Sequence, residues 1–101
     1  MDTSAESPQA CYRAIATMFK PDERVWLVDE QYDEKETIWR ITIVRLGEQQ
    51  RWMRQRYHYD TPTGVIYFMG ARPVAEEELV TLRRSGRLFP AQHTAHSKSN
   101  G

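Results

Sequence analysis

Between Arg51 and Asp60 the chain alternates Trp52, Arg54, Arg56 and His58 with Met53, Tyr57 and Tyr59. At the two-residue period of a β-strand, an indole, two guanidiniums and an imidazole share one side, while the apolar rings share the other. Guanidinium forks recognise carboxylates and phosphates through paired hydrogen bonds. A flat aromatic side chain such as Trp52 or Phe68 can stack on a nucleic-acid base, worth ~1–3 kcal/mol per base. Arginine together with aromatic residues is also the composition enriched where proteins bury surface against one another. His58 and Asp60, two apart on the same strand, could form an orienting pair for proton transfer. A turn-capping aspartate beside a surface histidine explains the same two residues without catalysis. No Gly-x-Ser-x-Gly elbow, glycine-rich phosphate loop or Cys/His pair accompanies them. His93 and His96 have no further ligand types at metal-binding spacing. The expectation is a non-catalytic chain without metal or cofactor.

Charge narrows the partner less than it first suggests. Fourteen basic and fourteen acidic side chains cancel, and the pI is near 6.8. They are unevenly spread: nine acidic and four basic residues up to residue 37, ten basic and five acidic beyond it, a balance of −5 against +5. Oppositely charged halves can neutralise each other within one fold, whereas dedicated nucleic-acid binders are usually strongly basic. Arginine outnumbers lysine 11 to 3, which suits anion recognition but equally suits a GC-rich coding sequence. Cys11 alone allows no internal disulfide and fits a reducing compartment. The acidic first residues show no signal-peptide pattern, and no apolar run is long enough to span a bilayer. A cytoplasmic protein without membrane association is expected.

These side chains need a scaffold, and 101 residues suffice for one domain. Ser7-Pro8 reads as a helix start, and Cys11, Ile15, Met18 and Phe19 fall on one helical stripe that Pro21 ends. On that stripe Cys11 reads as a small buried hydrophobe rather than a nucleophile. Strands follow over Arg24–Tyr32, Thr37–Leu46, Arg51–Asp60 and Val65–Met69, separated by turns at Asp33–Glu36, Gly47-Glu48 and Thr61–Gly64. A last helix runs from about Pro73 to Arg84, acidic at its start, basic at its end and stopped by Gly86. The tail from Pro90 is polar and expected to be disordered. The predicted fold is α+β: a four-stranded antiparallel β-meander, order αββββα, with both helices on one face. Residues 1–89 form the domain and 90–101 the tail.

Register decides which face is which. A two-residue Gly47-Glu48 loop would set Ile43 opposite Trp52 and mix Arg54 and Arg56 into the face of Trp39. One residue of slip sets Ile43 near Met53 and gives a continuous apolar face of Trp26, Val28, Trp39, Ile41, Ile43, Met53, Tyr57, Tyr59, Tyr67 and Met69. The second is preferred, because burying two unpaired guanidiniums would cost several kcal/mol each. A bulge or a looser loop near Gly47 would absorb the odd residue. The opposite face then carries Trp52, Arg54, Arg56 and His58, joined by Arg40, Thr42, Val44, Ile66, Phe68 and Leu27. With Trp52, Phe68 and Ile66 on it, the face is too apolar to be left in water and should be covered by the tail, a second subunit or a partner; Arg40, Trp52, Arg54, Arg56, His58 and Phe68 are the predicted partner-binding residues. A protein partner or a second copy of the chain is the leading expectation. Nucleic acid or another anion, met by strand 51–58 with Arg83, Arg84 and Arg87, is the alternative.

The turn Tyr59-Asp60-Thr61-Pro62-Thr63-Gly64-Val65-Ile66 resembles the Asp-x-x-Thr-Gly-x-apolar hairpin of PepSY-type domains. Those are small modules with a helix followed by a β-meander, and the likeness covers about residues 8–69. Members are commonly exported or membrane-attached and linked to the restraint of peptidases. This chain shows no export signal and adds a C-terminal helix. The resemblance implies a non-catalytic binding role and identifies no target.

Overall fold

A computed structural model describes residues 8–90. Ser7, His93, His96 and the expected tail beyond Pro90 lie outside the described residues. The elements are α1 (Pro8–Ala16), β1 (Val25–Asp33), β2 (Ile38–Leu46), β3 (Trp52–Asp60), β4 (Val65–Pro73), α2 (Glu76–Ser85) and β5 (Arg87–Leu88). The fold is α+β with one antiparallel sheet of five strands, in the order β4-β3-β2-β1-β5. Two parts of the expected architecture are corrected. A fifth strand follows α2 and pairs with β1, and the two helices cover opposite faces of the sheet rather than one.

Burial explains the first face. Alternate residues of the central strands, Ile41 and Ile43 on β2 and Tyr57 and Tyr59 on β3, join Val25 and Leu27 of β1 in one buried cluster. Cys11, Tyr12 and Ile15 of α1 close over it. Each aliphatic or aromatic side chain so buried contributes roughly 1.5–3 kcal/mol. The helix is shorter than the periodicity suggested. After Ala16 it tightens into three-residue turns, with the Thr17, Met18 and Phe19 N–H groups donating to Ala14, Ile15 and Ala16 carbonyls. Met18 is thereby turned outward, whereas Phe19 stays half-buried under the Arg45 guanidinium, 5.1 Å from its ring centre.

The ribbon at Gly47 takes the burial-driven alternative, though two residues further along. Ile41 faces Tyr57, Ile43 faces Gln55 and Trp39 faces Tyr59, across a five-residue connection. The even displacement preserves every side, so Arg54 and Arg56 lie away from the α1 face. Bulges and turns of unexpected length reassign the outer strands. Val28 is an extra residue opposite β2, so Leu27 faces Ile43 and Trp26 faces Val44. The Thr61–Gly64 turn closes on an Asp60–Val65 pair, setting Ile66 and Phe68 opposite Tyr59 and Tyr57. Trp26 and Tyr67 therefore leave the core face predicted for them, Val28 leaves it for the α2 groove, and the extra residue Met69 is exposed.

The second helix sits over Trp26, Val44 and Arg54. Val44 on β2 is fully buried and Leu79 on α2 nearly so, yet neither belongs to the α1 cluster. The chain leaves α2 through Gly86, whose backbone lies so close that an added Cβ would be 2.6 Å from the Leu82 carbonyl oxygen and 3.1 Å from the Trp26 ring. Then β5 runs along β1, and the Phe89 N–H donates to the Val25 carbonyl at 2.8 Å. Phe89 passes round the sheet edge into the α1 core, fully buried, edge-on to Tyr12 at 5.3 Å and to Phe19 at 5.8 Å.

Candidate functional site

Five of the six predicted contact residues do share a face. Trp52, Arg54, Arg56 and His58 alternate along β3, and Arg40 stands opposite His58 on β2. Phe68 is the exception. The Asp60–Val65 closure puts it on the α1 face beside Tyr57, ring centres 5.6 Å apart. A single surface carrying both Trp52 and Phe68 does not exist.

The fold has also committed several of these groups. Arg40 donates to the Asp33 carboxylate at 2.8 Å. That carboxylate also accepts the N–H groups of Lys35 and Glu36, organising the β1–β2 turn. The bond from Arg40 is the main reason the Asp33 carboxyl is held below its ordinary range. On the other half of the face, Glu78 of α2 accepts from Arg54 at 3.1 Å and from both terminal nitrogens of Arg72 at 3.2 and 3.3 Å. Its remaining reach takes the Ala75 N–H at the start of α2, half of a capping box. Chief among these, the Arg72 bonds hold the Glu78 carboxyl below its usual value. Thus α2 is clamped to the sheet by Arg72 and by Arg54, the second of which sequence spacing had offered to a partner.

Arg56 is left over. No side chain among the described residues pairs with it, and it is exposed. It lines a shallow hollow with Arg54, Arg72, Gly70 and Ala71. Gly70 has φ +149, open to glycine, and its missing side chain keeps the hollow clear beside the Arg56 guanidinium. Next along β3, His58 makes no side-chain hydrogen bond among the described residues. Burial, and then the positive charges of Arg40 and Arg56, hold its imidazole below the ordinary 6.5. Asp60 accepts from the Thr63 hydroxyl at 2.5 Å instead of orienting His58. The His58–Asp60 pairing is therefore absent among the described residues.

Cys11 is inert by position. It is fully buried, and burial with the nearby Glu30 carboxylate pushes its thiol up to about 12. Among the described residues no group of three His, Cys, Asp or Glu side chains converges on a metal position, and no helix is long and apolar enough to cross a membrane.

Among the described residues, an exposed apolar group lies on β4. Val65, Tyr67, Phe68 and Met69 are all exposed, Tyr67 at 52% and Phe68 at 58%. The missed signal was chain order. The last strand of a meander is an edge strand, so its two apolar faces have one neighbour instead of two. At the opposite side of the sheet β5 lies along β1, whereas β4 has no neighbour along its outer side among the described residues.

No family model, curated protein or solved structure matches this chain.

Proposed function

We propose that this chain is a non-catalytic protein-interaction module whose contact surface is β4 rather than the arginine face of β3. The observation that carries the reading is the uncovered edge strand with Val65, Tyr67, Phe68 and Met69 in solvent. An open strand edge offers unpaired backbone groups to an incoming strand, and exposed aromatic side chains beside it add buried area and specificity. The helix-then-meander order and the Asp60–Gly64 turn, which resemble PepSY-type modules, agree with a binding role. Placing a photo-cross-linking residue at Tyr67, with a control at exposed Val80 on α2, tests it. The reading expects protein adducts from position 67 and none from 80. Equal labelling from both, or none from 67, would contradict it.

A second reading rests on Arg56, the cation on β3 without a carboxylate, in the hollow beside Gly70. It makes this surface an anion site for phosphate or single-stranded nucleic acid. Arg83, Arg84 and Arg87, grouped with it on sequence, are dispersed: two on α2, and Arg87 paired with Glu30 at 3.2 Å. Salt-sensitive binding of single-stranded DNA that Arg56→Glu abolishes would favour this reading.

A further inference from the structure

We infer that the partner of β4 is a second copy of this chain, paired antiparallel edge to edge with Tyr67 on the two-fold axis. This deepens the proposed function and rests on it.

The segment Val65-Ile66-Tyr67-Phe68-Met69 contains no charge and no proline. A closed antiparallel pair of identical strands must place one residue opposite itself, because residues directly across from each other point to the same side. Centring on Tyr67 sets Val65 against the second copy's Met69, and Ile66 against its Phe68. The regular levels, Tyr67 with itself and Ile66 with Phe68, then match aromatic and apolar side chains, while Met69 meets Val65 from the bulge where it is the extra residue opposite β3. Cross-strand pairs of aromatic and branched side chains are the ones that stabilise sheets most.

The ends of the segment support the same centre. Gly64 and Gly70 each lie three residues from Tyr67, and both have positive φ, +74 and +149. In this register each would face the other in the second copy, so the ribbon ends symmetrically where neither chain has a side chain to collide. Beyond Gly70, Arg72 and Pro73 are the residue types that blunt a sheet edge and limit pairing to the apolar stretch. The net charge is zero, so two copies meet without mutual repulsion. The opposite edge is partly occupied by β5, which favours a closed pair over an open fibre. Phe68, supported on one side by Tyr57, would gain its missing cover from the second copy's Ile66.

Sedimentation equilibrium of the full chain tests the inference across a wide concentration range. The expected mass is twice the 11.9 kDa of one chain. Tyr67→Lys should weaken association at least tenfold while leaving the far-UV circular dichroism unchanged, and Val80→Lys on α2 should leave it intact. Should Tyr67→Lys fold poorly, Met69→Lys supplies the same test outside the regular ladder. Tyr67→Cys should oxidise to a disulfide-linked dimer faster than Val80→Cys, with buried Cys11 remaining reduced. A wild-type chain that stays monomeric, forms open-ended polymers, or dimerises regardless of Tyr67→Lys and Met69→Lys would overturn the inference. If a monomeric chain still cross-links another protein from position 67, self-pairing fails while the interaction-module reading survives. If position 67 labels nothing in that monomer, both fail.

Discussion

His58 shows how one side chain reports on its surroundings. Its imidazole is half-buried between two guanidiniums and held below 6.5. Between the two values the unfolded chain binds the proton that the folded chain refuses, so stability rises with pH there. The stability associated with neutral His58 is present above pH 6.5 and is lost as pH falls through the folded value. Glu23, Asp33 and Glu78 are likewise held below their ordinary values, and each loses its contribution in the same direction, starting from about 4.5 or below. Urea unfolding across pH should therefore show an upper and a lower step, and His58→Gln should remove only the upper one. A wild-type profile flat through the histidine range would contradict the placement of His58. At this scale the sequence was informative about type and side, and silent about partners. It put Arg40, Arg54, Arg56 and His58 together correctly, because alternation along a strand is local. That Arg40 belongs to Asp33, and Arg54 to Glu78 across 24 residues, depends on tertiary placement.

Element by element, the central β2–β3 ribbon was legible because burial favours one parity strongly. Sliding by a whole pleat changed its pairing without changing its sides. The outer strands were less so. One extra residue at Val28 and another at Met69, with Asp60 pairing Val65 directly across the Thr61–Gly64 turn, reverse the sides of Trp26, Tyr67 and Phe68. Bulges and turn lengths are set by the fit between neighbouring strands, which a single strand's alternation does not encode. Element β5 was missed for a related reason: two paired residues are too short to show a period. Its consequence is large, because it delivers Phe89 to the core. Replacing Phe89 by Ala should cost about 3–5 kcal/mol. Phe68→Ala, the same change on the exposed edge, should stay near 1 kcal/mol in the monomer. Chemical denaturation of the two variants compares them directly, and similar losses would mean that Phe68 belongs to the core.

For the whole molecule, the two helices divide the sheet between them and leave Val65, Tyr67, Phe68 and Met69 of β4 exposed. The α1 face is sealed by Phe89 coming round from the far edge, and the α2 face is clamped by Glu78 on Arg54 and Arg72. Of these devices only the Arg72 bond reaches β4, at the end of the strand beyond Val65–Met69. The α+β class and the exclusion of any long apolar span were legible from composition and periodicity. The division of the helices was not, since it follows from Val28 turning the start of β1 over. The contact surface consequently moves from the predicted arginine row to the strand beside it. Backbone amide exchange of Val65–Met69, followed as protein concentration rises, tests that relocation most directly. The account predicts rapid exchange of the outward-facing amides in dilute protein and protection of the same amides on association, with β5 unchanged. Protection that is equal at all concentrations, or that develops at Arg54–His58 instead, would contradict it.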